Sequence, residues 1–216
     1  MKTDLELQED ITAELAWDPS IEASRIGVAV EDGIVTLSGH VPSFAEKEAA
    51  RRAAQRVVGV KGVALELQVV LPGHAERTDA DLARSASSML EWSTLVPGGT
   101  VKVSVEDGWV TLTGKVDWAF QRDAAVDCMN SLIGVKGVVN RIEVAAKASS
   151  GDVKTRIEAA LQRRAHLDTK SIDVSVANGT VTLSGRVDSL AERSTMENAA
   201  WSAPGVKRVV DNLTIR

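Results

Sequence analysis

Apolar residues return every four positions at Leu7, Ile11 and Leu15, again at Leu82, Ala86 and Leu90, and a third time at Val153, Ile157 and Leu161. That period lays one apolar stripe along a helix. After the first stripe the period changes to two. Ile26, Val28 and Val30 alternate with Gly27 and Ala29, Val35, Leu37 and Val41 alternate with polar residues, and Glu31, Asp32 and Gly33 stand between the runs. Alternation on both sides of a glycine turn predicts a β-hairpin. Ser43 with Glu46, and Ser189 with Glu192, have capping-box spacing and predict the start of a second helix. Trp118 occupies the capping position in the middle of the chain, so Asp117 is expected to cap there. That helix is expected to stop near Gly59, Gly134 or Gly205. A β-branched run such as Val63 to Val70 then closes the unit as a third strand, giving the order αββαβ.

The unit is written three times. Glu31-Asp-Gly-Ile-Val-Thr-Leu-Ser-Gly39 returns as Glu106-Asp-Gly-Trp-Val-Thr-Leu-Thr-Gly114 and as Ala177-Asn-Gly-Thr-Val-Thr-Leu-Ser-Gly185. Gly59-Val-Lys-Gly-Val63, Gly134-Val-Lys-Gly-Val138 and Gly205-Val-Lys-Arg-Val209 follow at matching distances. Gly33, Gly108 and Gly179 set the copies 75 and 71 residues apart, and with those offsets they align without a gap from about Leu7 to Val70. The difference in spacing falls in the linkers Pro72 to Thr78 and Lys147 to Ser150, whose Pro, Gly and Ser suit exposed connections. The expected domains are 1–71, 79–146 and 151–216. Each unit is small for an independent core, and one sheet face covered by two helices is a workable minimum. The fold class is therefore α+β: three tandem αββαβ domains, each with two helices on one face of a three-stranded mixed sheet. Ile26, Val28, Val30, Val35, Leu37 and Val41 form the expected inward set. Thr36, Ser38, Thr111, Thr113, Thr182 and Ser184 mark a small, polar outer face.

The triplicated Val-x-Val-x-(Asp/Asn)-Gly-x-Val-x-Leu-x-Gly run, followed by a helix and Gly-Val-x-x-Val, resembles the BON domain, a module of bacterial osmotically inducible and nodulation-associated proteins. The resemblance covers nearly the whole chain. It implies two helices on a three-stranded sheet and a role in phospholipid binding or envelope support.

The recurrent glycines read first as backbone devices. Gly33, Gly108 and Gly179 sit where a hairpin turn needs positive φ, and Gly39, Gly114 and Gly185 where a bulge or a close helix approach is expected. Gly59, Gly134 and Gly205 read as helix C′ residues. None has phosphate-loop spacing. Lys61, Lys136 and Lys207 recur just after the second helix, where a cation complements the helix dipole; head-group contact is their functional reading.

Composition narrows the chemistry. Of 216 residues, 44% are hydrophobic and 25% charged, as in an ordinary globular protein, and no apolar run reaches the ~18 residues of a membrane span. Residues 1–10 are acidic within the first four and lack an apolar stretch, so no signal peptide is read there and a cytoplasmic location is expected. One cysteine, Cys128, excludes an internal disulfide and a cysteine-rich zinc site. It aligns with Ala53 and Ala199 and reads as a buried small hydrophobe. His40, His74 and His166 are scattered, and His40 aligns with Lys115 and Arg186, an exposed polar position. No nucleophile–base pair or ligand cluster emerges, so an enzyme, a metal and a cofactor are not expected.

Charge is uneven: residues 1–71 carry a net of −5, residues 79–146 −3 and residues 151–216 +2. Lys154, Arg156, Arg163, Arg164 and Lys170 cluster in the third copy. At 100° per residue Arg156 and Arg163 lie about 20° apart beside the apolar stripe, a pattern that suits anionic lipid, with a solvated helix flank as the plain alternative. A pI near 5.3 and no basic track argue against nucleic acid. Trp17 and Trp92 align with each other, so shared packing is expected. Trp109, Trp118 and Trp201 stand where sister copies are mostly polar and are candidates for contact between domains or with a partner; alternation points Trp109 to the open sheet face. The sequence thus predicts a non-enzymatic binding module for an anionic phospholipid surface or, alternatively, a scaffold that binds a protein or small solute in inter-domain grooves.

Overall fold

The computed structural model describes residues 2–75, 77–145, 155, 157, 159, 172–177, 179–203, 206 and 208–215. The first repeat runs α1 (Asp4–Trp17), β1 (Ile26–Glu31), β2 (Ile34–Val41), α2 (Phe44–Arg56) and β3 (Gly62–Val69). The second runs α3 (Asp79–Trp92), β4 (Val101–Glu106), β5 (Trp109–Val116), α4 (Ala119–Asn130) and β6 (Gly137–Val144). In the third, Thr155, Ile157 and Ala159 are helical, followed by β7 (Ile172–Ala177), β8 (Thr180–Val187), α5 (Leu190–Trp201) and β9 (Arg208–Ile215). Each sheet has its middle strand paired antiparallel to the preceding strand and parallel to the following one, so all three are mixed. The parallel pair needs a crossover, which the second helix of each repeat supplies.

Three separate cores follow from the periodicity. In the first, the α1 stripe Leu7, Ile11 and Leu15 meets Val35, Leu37 and Val41 of the middle strand and Ala50 and Ala54 of α2. Leu82, Ala86 and Leu90 meet Val110, Leu112 and Val116 in the second, and Ile157 meets Val181, Leu183 and Val187 in the third. Val153 and Leu161, the other two members of that stripe, lie outside the described residues. Alternation along the middle strands leaves Thr36, Thr111 and Thr182 half-buried on the far face.

The turn expected between β1 and β2 has Asp32 at φ 52° and Gly33 at φ 79°, and Asp107 and Gly108 repeat it at 50° and 81°. Two consecutive left-handed residues form a type I′ turn, whose twist matches the flanking strands. An interaction with no local sequence signal secures it. Asp4, the first residue of α1, accepts from the Asp32 and Gly33 N–H groups at 2.8 and 2.9 Å. Asp79 accepts from Asp107 and Gly108 at 2.9 and 2.9 Å. These helices are capped one residue earlier by Thr3 and Thr78, whose hydroxyls accept from the Glu6 and Asp81 N–H groups.

Three local expectations are corrected. Gly39 and Gly114 insert no extra residue: they form the end pairs of the antiparallel ladders, opposite Ile26 and Val101, and the parallel ladders run through them one to one. Their φ values of 122° and 139° instead bring the backbone against the Arg25 and Thr100 carbonyls, where a Cβ would overlap. Gly59 and Gly134 are left-handed at φ 99° and 101°, yet they lie past the C′ position, because the helices already cap at Val57 and Ser131. Gly205 lies outside the described residues, while Gly179 and Gly185 keep positive φ. Asp117 does not take over as the α4 cap residue: Trp118 holds that position and offers no side-chain acceptor, and Gln121 Oε1 accepts from the Asp117 and Trp118 N–H groups at 3.0 Å each.

Gly39→Ala and Gly114→Ala are each expected to cost about 2 kcal/mol or more, because a side chain there meets both a positive φ and a backbone oxygen. Gly73→Ala, at a site open to solvent, serves as the neutral control. Urea unfolding of the three variants checks this. Asp4→Ala and Asp79→Ala are each expected to lose about 1 kcal/mol by the same measurement, since two charge-assisted bonds to an exposed turn disappear.

Candidate functional site

The second helices are where the repeats meet. The buried face of α2 carries Ala49, Ala50, Ala53 and Ala54, small enough for another helix to approach closely, and α2 packs against α5 and also touches α4. The first residue of each second helix is what crosses over. Phe44 packs on the core of the second repeat and Leu190 on the core of the first. The Gly59 N–H donates to the Asp188 carbonyl at 3.2 Å, tying the end of α2 to the start of α5. Ala119, itself buried, is the corresponding residue of α4, and among the described residues a space is left beside it.

A groove of about 890 Å³ opens there, between α4 and the end of α5. Trp118 and Phe120 line it from the start of α4, Met89 and Leu95 from the end of α3 and the loop after it, and Trp201 from α5. Asp123 and Asp127 supply carboxylates along it. The Arg122 guanidinium stacks over the Trp201 ring, 5.0 Å from its centroid, and its Nε donates to Asp123 at 2.9 Å. Cys128 also lines the groove and is half-buried, so the expectation of a buried residue is corrected: Ala53 and Ala199, at 0% and 3% exposed, lie on α2 and α5, which pack together, whereas Cys128 borders the groove.

Next to this junction Glu197 of α5 faces Asp211 of β9, which Arg193 holds in an ion pair. Burial, then a hydrogen bond with Asp211 and its negative charge, push the Glu197 carboxyl above its ordinary value of 4.5, while Arg193 and Arg122 pull it back.

The structure brings Trp118 and Trp201 together and leaves Trp109 apart. Trp109 lies on the outer sheet face, 49% exposed, with its ring over Gly137, its partner across the parallel ladder. Covering a glycine on an edge strand accounts for that ring. Trp17 and Trp92 overturn the expectation of shared packing: they end α1 and α3 at 84% and 87% exposed. The helical stripe faces the core through Leu15 and Leu90, and a residue two positions on points away from it. Lys61 serves the hairpin more than the helix dipole, since its Nζ donates to the Asp32 carbonyl at 3.0 Å. The side chains of Lys154, Arg156, Arg163, Arg164 and Lys170 lie outside the described residues. Among the described residues no three His, Cys, Asp or Glu side chains converge as metal ligands, and no helix is long and apolar enough to cross a membrane.

A three-stranded mixed sheet with two helices, repeated three times, agrees with the comparison to known families. The BON domain model matches residues 3–70, 78–146 and 149–216. The chain belongs to the BON domain family. It is 34% identical over 137 residues to the osmotically-inducible protein Y of Escherichia coli (strain K12), a match spanning 62% of this chain and 68% of that protein. Similar solved structures include CdsD, a structural protein of the type III secretion system of Chlamydia trachomatis, at 15% identity and a TM-score of 0.27, covering 98% of this chain and 92% of that one. A structure of the C-terminal domain of CdsD matches at the same identity and score over 100% of both chains.

The Glu197 environment gives a pH-dependent expectation. A carboxyl whose folded value is raised binds its proton more tightly in the native state, so stability falls as pH rises from 4.5 through the raised value. Glu197→Gln is expected to remove that part of the decline. Unfolding midpoints across a pH series for the two proteins measure it; identical slopes would contradict the assignment.

Proposed function

We propose that this BON protein is a non-enzymatic module that associates peripherally with phospholipid surfaces. The observation that carries the reading is the near-complete exposure of Trp17 and Trp92 at matching helix ends. An indole with an apolar body and a polar N–H is at its most stable at the boundary between lipid and water. The third copy has Arg163 at the corresponding position, within its basic cluster. Two aromatic anchors and one cationic copy together suit an anionic surface. Each basic residue near such a surface contributes about 1 kcal/mol, so attachment is reversible and sensitive to salt. Similarity to an osmotically inducible protein supports a stress-related setting for this role.

A second reading, a scaffold that holds a protein or small solute, is supported by the groove that joins Trp118 to Trp201.

Co-sedimentation with neutral and anionic vesicles at low and moderate salt separates these contributions. Trp17→Ala with Trp92→Ala is expected to weaken binding by ~10-fold or more on anionic vesicles, and Arg156→Ala with Arg163→Ala to remove the preference for them. Retention of wild-type binding by both double variants would sink the membrane reading.

A further inference from the structure

We infer that the groove along α4 receives an amphipathic helix of another protein, one carrying large apolar residues flanked by Lys or Arg. The inference rests on the scaffold reading and names its partner.

The three junctions show what is missing. At two of them a large apolar residue at the start of one second helix, Phe44 or Leu190, fills against the core of the neighbouring repeat. At the third the same position holds Ala119, and the space beside it remains open as the 890 Å³ groove. A single leucine or phenylalanine side chain occupies far less than that, so the opening accommodates several large side chains on one face of a segment. Its shape also suits a helix. Phe120, Asp123, Ala124, Asp127, Cys128 and Ser131 line it at intervals of three and four, one face along the 12 residues of α4. At 1.5 Å per residue that face is about 18 Å long, three turns of a partner helix. Helix against helix is also how α2 and α5 cover each other, so the groove continues an interface the fold already uses.

Charge selects among occupants. Asp127 and Asp123, the latter already paired with Arg122, line the groove, and among the described residues no Lys or Arg does. A second copy of this chain packing α4 against α4 would bring these carboxylates against their own counterparts, which is repulsive. A phospholipid anion meets the same repulsion. A helix with large apolar residues at i, i+3 or i+4, and i+7 meets Trp118, Phe120 and Trp201, and its flanking cations meet the two aspartates. Small side chains at Ala124, Cys128 and Ser131 leave room for close helix approach.

The test uses the full chain and two synthetic helical peptides of about three turns, sharing one leucine face and flanked by Lys in one and Glu in the other. Cys128, the one cysteine of the chain, reports occupancy through its rate of maleimide alkylation. The Lys peptide is expected to slow that alkylation and to bind ~10-fold more tightly than the Glu peptide. Asp123→Asn with Asp127→Asn is expected to bring the two affinities within ~2-fold of each other. Ala119→Leu, which places at this junction the residue found at Leu190, is expected to weaken the Lys peptide by ~10-fold while circular dichroism stays unchanged. Equal protection by both peptides would overturn the basic partner and leave the scaffold reading standing; no protection by either would overturn both. Protection without peptide, in a dimer seen by light scattering, would replace the inferred partner with a second copy. Should Ala119→Leu fail to fold, the aspartate pair still decides the matter.

Discussion

Everything in the repeat depends on the left-handed Asp–Gly turn and on what grips it. The turn joins the first two strands, but the groups that secure it come from far along the chain. Asp4 closes on the Asp32 and Gly33 N–H groups, and the Gly33 carbonyl accepts from the Lys61 N–H at 2.9 Å. The start of the first helix, the tip of the hairpin and the entry to the third strand therefore meet at one point. Asp79, Gly108 and Lys136 repeat the arrangement. In a unit with so small a core, a few bonds of about 1 kcal/mol each are a large share of stability. The turn also sets register: Glu31 pairs with Ile34 and Ile34 with Gly62, so the placement of all three strands is referred to the same two residues. A slip of one residue would turn Val35, Leu37 and Val41 out of the core.

With that frame constant, the copies differ where the frame makes no demand. Two such positions are the first of each second helix and the one aligned with Trp17 at the end of α1. These positions hold Phe44, Ala119 and Leu190 in one set, and Trp17, Trp92 and Arg163 in the other. The first set decides whether a junction between repeats is filled or open. The second holds two indoles, exposed at the ends of α1 and α3, and an arginine in the third copy. Triplication thus supplies one scaffold three times and permits each copy a separate surface chemistry.

Periodicity made the frame legible because it is a property of each unit alone. The four-residue stripe, the alternation around Gly33 and the third strand required no knowledge of neighbours, and the first two cores are built on the stripes and the middle strands they predict. Contacts across longer separations left no such trace. The carboxylate of Asp4 reaches a turn 28 and 29 residues away, and nothing in the helix pattern marks it. Trp17 and Trp92 illustrate the opposite failure. Their alignment signals a shared role, but a shared position can face water as well as a core, and only the phase of the helix relative to Leu15 and Leu90 decides which. Cys128 differs from its alanine counterparts for a related reason: they lie on helices that pack together, and nothing in the sequence marks that Cys128 borders a groove. Trp118 and Trp201 were recognisable as unusual by comparison of copies, while their convergence depends on the start of α4 facing the end of α5.

That convergence bears on how three linked units act on one surface. Linked weak sites gain from one another only when geometry lets them engage together. Here, among the described residues, the repeats are joined by contacts among the second helices: Phe44 and Leu190 seated on neighbouring cores, the Gly59–Asp188 hydrogen bond and the Arg122–Trp201 stack. The effective concentration of one site relative to another is therefore governed by packing at the junctions. A junction filled by Phe44 or Leu190 constrains the angle between two repeats, and the Arg122–Trp201 stack constrains the one beside the groove. Ala119 lines that groove, at the position that Phe44 and Leu190 hold at the other two junctions.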